Sequence, residues 1–344
     1  MPNYLRQHQK TLGIAALLIP IFLVTCFYQA ATNGWDWSKV SFSSATNLLR
    51  MTRYTGLFAI IAIGAAVVIA TGGVDLSMGA LMGLTGVLMP MLVRPGQGGA
   101  FIDWTVDPWL GWLIIAGISL LAGWFHGILI TKLRLQPFLV TLCGLFIYRG
   151  IALTITKENT KGFGNDFESF RLLAGGNILG IPTPFVIALL LAILTAVLVH
   201  RTVVGRHLLA LGRNEQAAKF SGINTDRVKI AAYMLCSLIA GIGGVMFALH
   251  TNSVAPSDHC QGYELYAIAG AVLGGCSLRG GEISLAGVIF GTALMQVASD
   301  AVFFLNVANS AKLSVIGAMI LLGVIADEFL RIAAARRRAQ QKEA

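Results

Sequence analysis

Residues 211–224 read LGRNEQAAKFSGIN, and the placement of this stretch decides how the rest of the chain is read. It is short and amphipathic, bracketed by Gly212 and Gly222, with long apolar runs at 184–200 and 230–249 on either side. Asn214 stands where a helix N-cap belongs, and Glu215 follows in the first turn, where the helix dipole favours a carboxylate. Ala217, Ala218 and Ser221 recur at helical spacing and predict a small-residue face that another protein can approach closely. Arg201, Arg206, Arg213, Lys219, Arg227 and Lys229 surround the segment, and basic residues beside apolar runs mark a cytoplasmic loop. The expectation is a helix along the inner membrane surface, a handle for a soluble motor. The plainer alternative is an ordinary helical loop.

Composition supports that placement. The chain has 344 residues, 56% hydrophobic and 12% charged, with a mean hydropathy of +0.74; soluble domains carry roughly 25% charged residues. The expected fold is therefore all-α, a polytopic membrane protein. Its 39 glycines suit helices that approach closely in lipid. The net charge of +9 falls in loops between apolar runs, so it reads as a topology signal rather than a nucleic-acid-binding stripe. Cys26, Cys143, Cys236, Cys260 and Cys276 are scattered without CxxC or Cys/His spacing and read as small hydrophobes. Cys260 alone is placed in an external loop.

Taken in order, Arg6, His8 and Lys10 precede an apolar run at 12–28 that imitates a secretory signal. The run exceeds the usual core of about 7–15 residues and is read as a retained first span. An external connection at 32–53 carries Trp35 and Trp37, which suit the membrane interface. Apolar runs at 56–70 and 80–93 flank TGGVDLSMG at 71–79. Each run is short against the roughly 20 residues needed to cross. The nonhelical piece is therefore expected to dip into the membrane, buried or lining a water-filled cavity. Asp75 and Ser77 would satisfy its freed amides.

Further spans are expected at 108–131, 138–155, 184–200, 230–249, 263–273, 285–304 and 313–332, with outer loops at 157–182 and 251–262. That makes one transmembrane domain, 1–344, of about ten spans with both termini cytoplasmic and a basic tail at 333–344. Sixteen Lys and Arg fall inside on this topology and nine outside or near it, which agrees with the orientation. A second glycine-rich interruption, GGCSLRGG at 274–281, occupies a hairpin comparable to the first. Interrupted segments at corresponding places in two halves point to a transport path.

The chain contains no Gly-x-x-x-x-Gly-Lys-[Ser/Thr] phosphate loop, no metal-spaced His/Cys set and no catalytic triad, so no enzyme activity or bound metal is expected. His126 lies mid-span and reads as a helix–helix hydrogen bonder. Asp75, Glu264 and Asp300 are the intramembrane carboxylates that an ion-coupled carrier would need. None has an obvious basic partner by spacing, which favours an external energy supply. Asp75, Ser77, Tyr263, Glu264 and Gln296, with Tyr266 and Arg149, are candidate residues of the path.

Three segments carry a family resemblance: ATGGVDLSMG at 70–79, GRNEQAAKFSGIN at 212–224, and GYELYAIAGAVLGGCSLRGGEISLAGVIFG at 262–291. They resemble the permease subunits of bacterial ABC importers for ribose, galactose, xylose and related sugars. The resemblance implies a dimeric core in the inner membrane, formed with an identical or related permease. A periplasmic or surface sugar-binding protein would feed it. A cytoplasmic ATPase using ATP and Mg would power it, with no cofactor on this chain. The family's coupling role would fall on Gly212, Asn214, Glu215, Ala217, Ala218, Ser221 and Gly222. Tyr266 departs from a common Asp, Cys276 from a Thr or Ser, and 282–284 from a stretch that usually contains Gly. These departures bear on substrate more than mechanism. An ion-coupled carrier and an ABC permease for branched-chain amino acids are the alternatives, with a membrane enzyme more distant.

Overall fold

The apolar runs form helices in the computed structural model, and most are bounded by residues that favour helix ends. The structure describes residues 3–94, 96, 105–165 and 167–305, with single positions between 308 and 325. Side chains are described from residue 16 onward. The predicted span at 313–332 is described only at 314, 315, 317, 318, 321 and 325, and the tail at 333–344 lies outside the described residues.

The helices are α1 (Asn3–Thr32), α2 (Ala45–Ala70), α3 (Met78–Val93), α4 (Pro108–Thr131), α5 (Pro137–Thr156) and α6 (Glu168–Gly175). They continue with α7 (Thr183–Arg201), α8 (Val203–Arg213), α9 (Glu215–Phe220), α10 (Thr225–Thr251), α11 (Tyr263–Leu273) and α12 (Leu285–Phe304). A two-residue ladder, β1 (Asn177–Ile178) with β2 (Ile181–Pro182), interrupts the otherwise helical order. Among the described residues α2, α4, α5, α7, α10 and α12 are long and apolar enough to cross a membrane. Residues 16–32 of α1, with α3 and α11, are shorter apolar helices. The chain is a multi-pass membrane protein.

Burial follows side-chain character. From Gly56 to Ala70, α2 is apolar and enclosed almost all round, as a central helix must be. It packs against α7, α10, α11 and α12, while α10 also covers α3 and α4 and α1 lies along α12. The outer helices α4, α5 and α7 turn Leu113, Leu121, Phe146, Leu190 and Ile193 outward, which suits contact with lipid. Where α11 crosses α12, Gly274 lies on the backbone of Gly287 and Gly291 on that of Gly270; a Cβ on Gly274, Gly287 or Gly291 would overlap main chain. Close packing without intervening side chains is how helices gain contact in lipid.

Several expectations change. The first break does not follow a short half-span, because α2 begins at Ala45. The Ser44 hydroxyl caps it by accepting the Asn47 N–H at 3.3 Å, and the Asn47 side-chain amide donates to the Phe42 carbonyl at 2.8 Å. The connection read at 32–53 therefore shrinks to 33–44, and Arg50 and Arg53 become helical. Arg50 donates to Asp300 at 3.1 Å, giving that carboxylate a basic partner 250 residues away. Arg53 donates to the Gly175 carbonyl at 3.0 Å. The loop at 157–182 contains α6 and the small hairpin rather than only irregular chain. Cys260 lies in the loop between α10 and α11, as read, but is buried there; Arg149 holds that loop by donating to the Pro256 and His259 carbonyls, each at 2.9 Å.

Candidate coupling segment and translocation site

The handle at 211–224 is two helices with a corner between them. Asn214 is extended, with φ −161°, so α8 ends at Arg213 and α9 starts afresh at Glu215. The Asn214 side chain accepts the Ala217 N–H at 2.9 Å, as its N-cap position predicted. Such a cap contributes about 1 kcal/mol. Ser221 donates to the Ala217 carbonyl at 2.9 Å, and Gly222 closes the turn at φ +81°, a backbone region that L side chains disfavour.

Glu215 ties this turn to the membrane domain. It binds Lys219 at 2.9 Å on its own helix and Lys229 at 2.8 Å on α10. Burial alone would raise its carboxyl pKa, but the hydrogen bonds and charges of Lys229 and Lys219 hold it below the usual carboxylate range. The predicted small-residue face is divided: Ala218 is buried against the protein, while Ala217 and Ser221 are exposed. Phe220 is 93% exposed at the tip of α9 and is a feature the sequence reading passed over. It is the one aromatic residue in the stretch, which was the available signal.

Gly212 does something that composition did not suggest. It lies in the last turn of α8, one residue before its end, and a Cβ there would overlap the Ala70 carbonyl oxygen and the Gly281 amide nitrogen. Gly281 donates its N–H to the Ala70 carbonyl at 2.9 Å. Gly280 lies against the Gly212 carbonyl and the Gly72 nitrogen. Both breaks and the segment at 211–224 thus meet backbone to backbone, and at Gly212, Gly280 and Gly281 a Cβ would collide with the neighbouring chain.

The candidate path residues fall into separate groups. Asp75 is buried and accepts the Ser77 N–H at 2.9 Å and the Ser77 hydroxyl at 2.6 Å. Glu264, at the start of α11, lies against Gly79, where a Cβ would overlap its carboxylate. Tyr263 stacks among aromatics, with ring centroids 4.9 Å from Phe58 and 4.9 Å from Phe247. Gln296 donates to Asp300 at 3.1 Å and lines a narrow pocket with Phe58, Tyr266, Thr292 and Met295. Asp75 and Ser77 belong together, Glu264 borders the same break at Gly79, and Tyr263 and Gln296 flank one aromatic cluster. His126 bonds a neighbouring helix as expected, through the Tyr148 hydroxyl at 3.0 Å.

A bundle of apolar helices, interrupted by glycine-rich breaks and joined to an exposed charged turn, is the architecture of a membrane permease. Residues 47–324 match the family described as the permease component of branched-chain amino acid transport systems, and the chain belongs to that family. It is 35% identical over 288 residues to the ribose import permease protein of Bacillus subtilis (strain 168), covering 83% of this chain and 86% of that one. The fructose import permease protein of Bifidobacterium longum (strain NCC 2705) is 32% identical over 305 residues, 88% of this chain and 82% of its own. The D-allose transport system permease protein of Escherichia coli (strain K12) is 30% identical over 293 residues, 84% and 85% of the two chains. No solved structure matches this chain. The resemblance to sugar permeases read from three segments is upheld, and all three lie within the matched residues.

Proposed function

We propose that this chain is the membrane-spanning permease of an ABC-type importer for a monosaccharide or similar polyol. ATP bound with Mg and hydrolysed by partner ATPase subunits supplies the energy, and this chain itself binds no cofactor. A periplasmic or surface binding protein delivers the solute, and a second permease, identical or related, completes the path. The protein works in the bacterial inner membrane with about ten spans and both termini cytoplasmic.

The observation that carries this reading is the junction at Gly212. An exposed turn, α9, is joined through Asn214 to a helix whose glycine rests on both glycine-rich breaks. Force applied at α9 reaches the breaks through main chain. A rigid-body switch between outward- and inward-facing states, biased by nucleotide on a partner, requires such a connection. The relatives named for ribose, fructose and allose support the solute class.

The test is a gentle-detergent pull-down of the tagged full-length chain from its native membranes. An ATPase is expected in the eluate and is expected to be lost when α9 is disrupted. Recovery of the chain without any ATPase, together with uptake that survives ATP depletion, would replace this reading with a secondary carrier.

A further inference from the structure

Two outward-facing ridges of the bundle enclose a groove. On α5, Leu139, Cys143 and Ile147 recur at four-residue spacing, and Leu135 of the preceding turn extends their line. Phe125 and Leu129 of α4 stand opposite, and the cleft between the two helices measures about 320 Å³. Gly144 forms its floor, where a Cβ would overlap the His126 ring and press on Ser77. His126 is 1% exposed and bonded to Tyr148 at 3.0 Å, so the surface on offer is hydrocarbon. From Leu139 to Ile147 the groove runs about 12 Å along the helix. That is most of one leaflet of a hydrocarbon core roughly 30 Å thick.

One end of the groove is cationic. Leu135 closes it by donating its N–H to the Leu129 carbonyl, and Lys132 and Arg134 belong to the same turn. Lys132 binds Asp226 at 3.0 Å and so offsets that carboxylate. Arg134 is exposed, and its side chain has no acidic partner among the described residues. Its backbone stands at φ +53°, where glycine is the usual choice, yet the position carries a cation. Leu133 is exposed between the two cations, so the turn presents apolar and charged groups side by side, as at a headgroup boundary. The bond to Asp226 places this end beside the first turn of α10, on the side of the bundle that carries α9.

We propose that this groove holds one acyl chain of an anionic phospholipid whose phosphate is bound by Arg134, with Lys132 alongside. An apolar slot lying along the bilayer normal and ending on an unpaired guanidinium matches both parts of such a lipid. Basic pockets between transmembrane helices select anionic headgroups in this way. A neutral lipid would fill the slot but leave Arg134 without its counter-charge. The site needs only that α4 and α5 face lipid, whatever the chain transports.

The test supplies the full-length chain, purified with its partners in mild detergent, with equal amounts of phosphatidylglycerol and phosphatidylcholine of identical acyl chains. Native mass spectrometry counts the lipids retained per copy. The wild type is expected to retain phosphatidylglycerol in preference. Arg134→Gly suits the left-handed backbone and removes only the cation; it is expected to weaken phosphatidylglycerol retention about fivefold. Cys143→Trp fills the groove from an exposed position and is expected to displace the lipid with Arg134 still in place. Equal retention of the two lipids by the wild type, or unchanged retention in either variant, overturns the proposal. Cys143 also gives a readout without substitution, because Cys26, Cys236, Cys260 and Cys276 are buried. Its labelling by a lipophilic maleimide is expected to slow as phosphatidylglycerol is added and to stay unchanged with phosphatidylcholine. Protection of Cys143 that is the same with and without lipid overturns the proposal, since a protein such as a second permease then covers the groove.

Discussion

The two glycine-rich breaks share a sequence pattern but differ in what surrounds them. The one at 71–79 is enclosed by α5 and α10, with the Thr141 and Tyr233 hydroxyls both directed at the Val74 carbonyl, and it holds the buried carboxylate of Asp75. The one at 274–281 has no acid, exposes Leu278 and Arg279, and meets the coupling segment through Gly280 and Gly281. Glycine supplies the same backbone freedom in both. Their neighbours decide that one break is surrounded by polar groups and the other is packed against the segment at 211–224.

Gly212→Val should have the largest effect, because its side chain must displace main chain belonging to both breaks. Overpacking of this kind costs about 1–3 kcal/mol, enough to lower uptake by roughly 5- to 100-fold. The ATPase should still co-purify, since the exposed face of α9 is unchanged. Normal uptake by this variant would show that the breaks do not transmit through the junction.

Asp75→Ala should come next, and its effect belongs to the first break alone. It removes the acceptor for two hydrogen bonds from Ser77, each worth roughly 1.5–3 kcal/mol when the acceptor is charged. The melting temperature in detergent should fall by several degrees, while Asp75→Asn, which keeps one oxygen acceptor, should recover most of the loss. Equal destabilisation by both variants would mean that the negative charge matters rather than the hydrogen bonds.

Glu215→Lys should have a smaller effect, confined to the coupling turn. It places a third cation beside Lys219 and Lys229, and the partly exposed pairs it breaks are worth about 0–1 kcal/mol. ATPase retention in the pull-down should drop by about fivefold. The carboxyl pKa is lower in the folded protein, so this contribution is present above the unfolded carboxylate value of about 4.3. It is lost as pH falls through the folded value; retention should therefore be flat near neutrality and weaken only in acid. Gly222→Val should cost least, since no neighbouring atom lies near and only the φ of +81° opposes it.

Much of the fold was legible from the chain. Apolar runs located the spans because a bilayer admits only helices that satisfy their own backbone. Asn214 marked a cap correctly because capping is local, decided within three residues. Residues 45–53 were misread as loop because Arg50 and Arg53 break the hydropathy pattern, and the groups that bind them, Asp300 and the Gly175 carbonyl, are distant in sequence. The face offered by α9 was misassigned because helical spacing groups Ala217, Ala218 and Ser221 but does not say which of them the rest of the molecule covers.

By itself the sequence determined a multi-pass helical membrane protein, its two glycine-rich breaks, the capped turn at Asn214 and its family resemblance, since each rests on local hydropathy, local capping or contiguous residues. Tertiary structure alone decided that Gly212 locks both breaks together, that Asp300 is paired, and that His126, Tyr148 and Asp75 share one buried layer. These facts depend on close approach between segments that packing brings together, and distance along the chain carries no record of it.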